Sequence, residues 1–424
     1  MEWPLLIYRL LLPVYVLAAG PGWWLKMVRR GGMGSGLAER FGFYREDLEW
    51  EPCGEVHVHA VSVGEAMLAL KLIRAWQAAE AGKKFVLAVA TSTGKQVALE
   101  TAPEGVRVVY QPVDFRFLVR RYLKRFEPSQ IVLVEGEMWP HLMLECSRRA
   151  IPVRLVNARM SPRSRRRYDK LAEWVRPVFR HLDGVAVQEK DDAEIWVTLG
   201  VSADKVRTTG SLKFDPGPRR ETVARPEFRD MIGAVNDGRP VVLAASTHVG
   251  EEPLLAASIE RAGGFPVIVP RHAERRFEVR EALEKAGFAV ALRSDFSAPT
   301  AGRKVLVVDS TGELRAWTSE AEVVVIGKSF LAEGGQNPAE AIEAGKPVVF
   351  GPHMENFEPL ASRLVDAGGA ARVSVAALPG IVRDLLENPS RRERMTAAGR
   401  SVLSRHQGAV DRVIGLLGNS RNRG

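Results

Sequence analysis

The sequence predicts an α/β protein: two doubly wound, Rossmann-like parallel-sheet domains preceded by a hydrophobic helix. Three observations carry this reading. Short runs rich in Val, Ile and Leu alternate with amphipathic helical stretches, the pattern of a parallel sheet covered on both faces. The alternation breaks at Asp215-Pro216-Gly217-Pro218 and restarts at Pro240. Ahead of both series, the stretch from Trp3 to Leu25 carries one charge, Arg9. By length alone, 424 residues correspond to about two to three domains. The breaks divide them into an anchor over 1–30, a first domain over 31–215, a linker over 216–239 and a second domain over 240–424.

The first segment is long enough to cross a bilayer, which takes about 20 mainly apolar residues. Trp23 and Trp24 suit the membrane–water interface, and Lys26, Arg29 and Arg30 would keep the following chain on the cytoplasmic side. Arg9 and Pro13 equally suit a helix lying in the interface, with Arg9 snorkelling to water. Spanning and interfacial placement both stay open, with a hydrophobic helix packed on the fold as the third choice. No basic segment precedes the apolar run, which argues against a cleaved signal peptide.

After a glycine-rich connector over 31–36, strand-like runs fall at 55–61, 84–91, 106–110, 130–134, 152–157 and 184–187. Helical patterns lie between them, as at 65–81 and 189–199. The second series places strands at 240–245, 265–269, 304–308, 321–326 and 347–350, and the chain from 376 reads as helical. In doubly wound folds ligands gather at the carboxyl ends of the strands, here expected in the cleft between the domains.

Composition narrows the partners. The formal net charge is +9 and the pI about 9.6, which calls for an anionic partner: phospholipid, anionic substrate or nucleic acid. Two cysteines, Cys53 and Cys146, exclude a disulfide framework and a clustered thiolate metal site. No His, Asp or Glu spacing suggests a metal centre, so none is expected.

The most informative stretch runs from Gly327 to Pro352. A buried strand ends in a glycine-rich turn, and a helix opens at Asn337-Pro338 with proline in its first turn and closes at Gly345. Free backbone N–H groups over such a crevice suit a phosphate, and Glu340 could accept hydrogen bonds from ribose hydroxyls. Three other strand ends in this domain carry polar groups: Pro270-Arg271-His272, Thr311-Gly312-Glu313 and the segment around His248. Arg271 would face a phosphate; Thr311, Gly312 and Glu313 would line the base or phosphate.

In the first domain, Glu65 stands where a strand gives way to a helix, as a general base or as a mere complement to the helix dipole. Glu135 and Glu137 flank a glycine at another strand end, beside Trp139, where paired acids can orient a polyol or stabilise a cationic centre. Lys213 sits in the turn Gly210 to Asp215. Arg163, Arg165, Arg166 and Arg167 follow Asn157-Ala158-Arg159 and could meet phosphates; without an aromatic platform or a nucleic-acid motif, nucleic acid is not the expected partner.

Taken in order, these motifs resemble the 3-deoxy-D-manno-oct-2-ulosonic acid (Kdo) transferases of Gram-negative bacteria. The resemblance covers nearly the whole chain: Glu39-Arg40-Phe41-Gly42, Ser62 to Glu65, Glu135 to Pro140, Asn157 to Arg159, Gly210 to Asp215, Pro270 to His272, Gly312 to Leu314, Asn337 to Glu340 and Phe350 to His353. It implies the two-Rossmann architecture called GT-B, CMP-Kdo as donor and lipid IVA or a related phosphorylated lipid A precursor as acceptor. Inner-membrane phospholipid is the implied surface, with the chain on its cytoplasmic face. Glu65 falls on the family's general base, and Glu135 and Lys213 on residues assigned to transition-state stabilisation. Pro270, Arg271, Thr311, Gly312, Glu313, Asn337, Pro338, Ala339 and Glu340 fall on its CMP-binding segments. Gly136 replaces a common Thr, Lys328 a second Gly, Gln336 a common His and Thr311 a frequent Met, changes that touch substrate preference more than reaction class. No cofactor and no metal are expected. The alternatives are another GT-B enzyme, a UDP-sugar transferase or epimerase, and a non-catalytic protein that binds membrane or anionic ligands.

Overall fold

The structure is a computed structural model that describes residues 3–29, 36–44, 55–136, 138–160, 162–215 and 225–418. The connector over 31–35, Arg30, Cys53, Glu137 and the 216–224 part of the expected linker lie outside the described residues, as do the side chains of Trp23, Trp24, Lys26, Arg29 and Arg163.

The first unit contains a seven-stranded parallel sheet built from β1 (Val56–Ala60), β2 (Phe85–Val89), β3 (Val106–Tyr110), β4 (Gln130–Val134), β5 (Val153–Ala158), β6 (Gly184–Val187) and β7 (Val206–Thr208), in the order β3-β2-β1-β4-β5-β6-β7. β1, β2 and β4 are buried at every position: β2 and β4 are the apolar runs expected when helices cover both faces, while β1 alternates valine with the buried His57 and His59. One face packs Ala66, Leu70, Ile73 and Trp76 of the Val63–Ala79 helix; the other packs Leu142 and Met143 of the Pro140–Arg148 helix with Tyr122 and Phe126.

The second unit repeats the plan with β8 (Val241–Thr247), β9 (Phe265–Pro270), β10 (Phe288–Leu292), β11 (Arg303–Val307), β12 (Val323–Ile326), β13 (Val348–Phe350) and β14 (Ala371–Arg372), ordered β10-β11-β9-β8-β12-β13-β14 and parallel throughout. The expected fold class is observed. β7, β10 and β14 were not anticipated from the sequence. All three are sheet edges; β7 and β14 are two or three residues long and carry no apolar run, whereas β10, Phe288–Leu292, is an apolar run that the sequence reading passed over.

Two expected boundaries change. The linker over 216–239 is partly a folded element: Pro226–Val235 is a helix of the second unit, and its Phe228 stacks on Trp317 at 4.0 Å and 9°. The second domain, expected over 240–424, stops short of His406, since the described residues 406–418 belong with the first unit. The Ala409–Gly418 helix presents Val410, Val413 and Leu417 along one face, and these bury in the core that holds Val58 and Leu70. An apolar stripe at this spacing must be covered. The first unit covers it.

Candidate active site

The strand order of the first sheet reverses between β1 and β4, the switch point where open α/β sheets leave a crevice at their carboxyl ends. Glu65 follows β1 and Glu135 follows β4. Ser62 caps the Val63–Ala79 helix: its Oγ accepts from the Glu65 N–H at 3.2 Å, while Glu65 Oε1 accepts from the Ser62 hydroxyl at 2.9 Å and Oε2 from the Val61 N–H at 2.8 Å. This is a capping box, with Glu65 at its third helical position. The carboxylate is thereby fixed in orientation yet half-exposed, with further lone pairs to offer.

Glu135 takes the left-handed conformation, φ +66°. That backbone is costly for a residue with a side chain and is held here by neighbours: its N–H donates to the Val156 carbonyl at 2.9 Å, and its own carbonyl accepts from the Arg159 N–H at 3.3 Å. Burial raises the Glu135 carboxyl above its ordinary range, and the nearby Glu65 pushes the same way; Arg159, Lys213 and the Asn157 hydrogen bond oppose the shift. Burial likewise lowers Lys213, with Glu135 acting to raise it and Arg159 to lower it further. All three predicted catalytic residues are therefore gathered in one electrostatic cluster.

Asn157 links its parts. This residue is 1% exposed, and its Nδ2 donates to Glu135 Oε1 at 3.4 Å. Its Oδ1 accepts from the Leu212 N–H at 2.9 Å and the Ser211 hydroxyl at 3.4 Å. The turn bearing Lys213 is held from two further sides. Lys71 donates to the Leu212 and Asp215 carbonyls at 2.8 and 2.5 Å. The returning C-terminal segment adds His406, whose Nδ1 accepts from the Ser211 N–H at 3.1 Å, while Asp215 accepts from the Gly408 and Val410 N–H groups at 3.2 and 2.7 Å. Sequence reasoning missed Lys71, Arg159 and His406 as parts of this cluster. The motif Asn157 to Arg159 was the one local signal of it.

In the second unit the order reverses between β8 and β12, and β11, β9, β8 and β12 lie side by side. Gly327 opens the loop after β12; a Cβ there would sit 2.5 Å from Thr247 Cα, so only glycine fits. Glu251, 1% exposed, accepts from the backbone N–H groups of His248, Lys328 and Phe330 at 3.1, 2.5 and 3.1 Å. One buried carboxylate thus shapes the glycine-rich loop. The following helix is shorter than expected, Ala339–Glu343, because Asn337 and Pro338 stay outside it; Asn337 Oδ1 accepts from the Ala339 N–H at 3.1 Å. Pro338 and Ala339 are buried and Glu340 is exposed.

Pro270 ends β9 inside the core, and Arg271 beyond it is exposed, its N–H donating to the Thr247 carbonyl at 3.0 Å. Thr311 and Gly312 form an exposed turn past β11 with Gly312 at φ +79°. Glu313 is engaged inside its own unit, by Arg225 at 3.0 Å, Arg293 at 3.4 Å and the Ser310 hydroxyl. Burial alone would raise its carboxyl, but Ser310 and the two arginines hold it below the ordinary value. Among the described residues no group of three or more His, Cys, Asp or Glu is placed to hold a metal ion.

A family model described as 3-deoxy-D-manno-octulosonic-acid transferase (kdotransferase) matches residues 35–216. The 3-deoxy-D-manno-octulosonic acid transferase of Bordetella pertussis is 36% identical over 431 residues, 95% of this chain and 98% of the relative. The chain belongs to the 3-deoxy-D-manno-octulosonic acid transferase family. The Haemophilus influenzae member is 32% identical over 389 residues, 90% of each chain. Kdo transferases are glycosyltransferases of lipopolysaccharide biosynthesis, and so is this chain. The fold agrees: the Neisseria meningitidis UDP-GlcNAc 2-epimerase superposes with a TM-score of 0.55 at 15% identity, over 86% of this chain and 100% of that one. That similarity establishes the GT-B-like architecture alone.

Proposed function

We propose that this Kdo transferase moves Kdo from CMP-Kdo to a hydroxyl of lipid IVA or a related phosphorylated lipid A precursor, with inversion and without a metal ion or cofactor. The observation that supports it most is the gathering of Glu65, Glu135 and Lys213 at the switch point of the first sheet, where Asn157 bonds both Glu135 and the turn that carries Lys213. Glu65 takes the proton of the acceptor hydroxyl, whose oxygen bonds to the anomeric carbon as the carbon–oxygen bond to CMP breaks. CMP departs with the electron pair. Glu135 faces the oxocarbenium-like charge that develops on the sugar, and Lys213 offsets the sugar carboxylate. Pro270, Arg271, Thr311, Gly312 and the segment Asn337 to Glu340 hold CMP: Arg271 and the backbone of the glycine-rich loop meet the phosphate, and Glu340 accepts from the ribose hydroxyls. Glu313, paired with two arginines, orders the Thr311–Gly312 turn.

The N-terminal helix attaches the chain to inner-membrane phospholipid on the cytoplasmic face, where such an acceptor is met. No nucleic acid enters the reading. Incubation with CMP-Kdo and lipid IVA, followed by mass analysis of the lipid, tests the assignment. A gain of one or more Kdo masses with release of CMP is expected. Turnover of a UDP-sugar instead would favour the epimerase-like or UDP-sugar alternative.

A further inference from the structure

Two residues that carry side chains take left-handed backbone at neighbouring strand ends of the second unit: Ser246 at φ +55°, near the end of β8, and Lys328 at φ +53°, two residues beyond β12. The sheet accounts for Ser246, because the register of β8 on β9 shifts between Ala245 and Thr247 and leaves it as the extra residue of a bulge. No such pairing accounts for Lys328. Its N–H donates to Glu251 at 2.5 Å, and its carbonyl accepts from the Gly335 N–H at 2.9 Å. Both bonds are made by the backbone of residue 328, and glycine, which adopts this conformation freely, would make them equally well. A side chain carried at such a position, where the backbone bonds do not need it, points to a use of its own.

The side chain folds back over its own loop. Lys328 Nζ lies 3.6 Å from where a Cβ on Gly334 would stand, beside the Gly334-Gly335 turn that leads into Asn337. The residue is half-buried, and among the described residues it forms no ion pair. The nearby carboxylates are engaged: Glu251 with the three backbone N–H groups given above, and Glu355 with the Gly334 N–H at 2.6 Å and His353 Nδ1 at 3.4 Å. An ammonium drawn partly out of water without a counter-charge carries a desolvation cost that an anion would offset.

Its place in the sheet names the anion. β12, β8 and β9 are neighbours, and Thr247 at the end of β8 meets both sides: Gly327 packs against its backbone, and its carbonyl accepts from the Arg271 N–H at 3.0 Å. Lys328 and Arg271 therefore flank one strand end, on the crevice assigned above to CMP.

We infer that Lys328 is a second cation for the phosphate of the donor nucleotide, binding it through its ammonium beside Arg271. It meets the phosphate as a point charge, where arginine meets it with a planar fork. When the bond from the anomeric carbon to CMP breaks, the electron pair goes to a phosphate oxygen, and this ammonium stabilises the charge gathered there. The inference rests on the CMP-Kdo reading proposed above.

Calorimetry of the full chain with CMP and with cytidine tests it, since cytidine lacks the phosphate and both lack the sugar carboxylate. Lys328→Gly removes the ammonium and suits the left-handed turn; Lys328→Met keeps the stem and removes the charge. Each should lose at least about ten-fold in CMP affinity with cytidine affinity unchanged, and the fall of CMP affinity with added salt should become shallower. Lys328→Gly should also unfold at or above the native midpoint, which separates the loss from damage to the loop. Native CMP affinity in either variant would overturn the inference. So would an equal loss for CMP and cytidine, which would make Lys328 a part of the loop's shape. Binding of UMP but not CMP by the native chain would overturn the donor reading instead, and UMP against uridine would then decide the role of Lys328.

Discussion

Glu65 has a structural part beside the catalytic one proposed for it. Its carboxylate closes a capping box with Ser62 and the Val61 N–H, so alanine would remove a helix cap as well as a base. Glutamine keeps the cap and cannot take a proton. Glu65→Gln should therefore unfold with a nearly unchanged midpoint, bind CMP normally and lose about 10²–10⁴-fold in transfer rate; a near-normal rate would remove Glu65 from the mechanism. In the proposed mechanism Glu135 and Lys213 set the pH profile. Burial lifts the Glu135 carboxyl above 4.5 and depresses the Lys213 ammonium below 10.5, so activity that needs both charges should have limbs inside that window. Asn157→Asp retains an acceptor for the Leu212 N–H but sets a second carboxylate against Glu135, so the acid limb should move to higher pH. A profile with an unmoved acid limb would show that Asn157 only supports the fold.

At the scale of elements, the turns carry more of the site than the strands do. The loop after β12 is shaped by Glu251, whose loss would leave three backbone N–H groups without their acceptor. Each unsatisfied buried donor costs about 1–3 kcal/mol. Glu251→Ala should lower the thermal midpoint of the second unit and weaken CMP binding at least ten-fold by calorimetry, an outcome that a loop with no part in nucleotide binding would not produce. β1 holds a second element-level device. His57 and His59 are fully buried around the Tyr122 hydroxyl, and burial pushes His59 down to about 4 and His57 well below its usual value. Above pH 6.5 both are neutral whether the chain is folded or not. Below 6.5 the unfolded chain takes protons that the folded one refuses until about 4, so stability falls as pH falls through that window. Asp114, raised by burial to about 7, works in the opposite direction. His59→Gln should flatten the acid-side loss by up to about 1.4 kcal/mol per pH unit relative to the native chain, read from urea midpoints at pH 7 and 5.

Across the whole molecule, the chain ends by returning to its first unit, and that return bears on the site. Val410, Val413 and Leu417 are buried there, while His406 and the Gly408 and Val410 N–H groups hold the turn that carries Lys213. Ending the chain after Arg405 would remove these three aliphatic side chains, whose burial is worth about 1.5–3 kcal/mol each, and uncover the core around Val58 and Leu70 that they pack on. The truncated chain should show an early unfolding transition of the first unit and lose transfer activity, while CMP affinity, which the proposed function assigns to the second unit, stays close to native. Retained activity would show that the Lys213 turn needs no support from this segment.

The sequence by itself determined the parallel-sheet class, the central strands and the positions of the acids at strand ends. Buried Val and Ile runs and strand-end glycines are local constraints, and Gly327 is legible because a side chain has no room there. It also determined the family, through motifs kept in order along the chain. Only tertiary structure decided which partners those residues meet. The short edge strands β7 and β14 carry weak patterns because pairing, not burial on two faces, defines them. Nothing near Leu417 says that it packs against the sheet holding β1, nothing near Asn157 that it joins Glu135 to the Lys213 turn, and nothing near Tyr8 that Asp114 receives its hydroxyl. These contacts join residues 22 to several hundred positions apart, and local pattern is blind to them because the energy that selects them is that of burial and hydrogen-bond satisfaction in the folded chain.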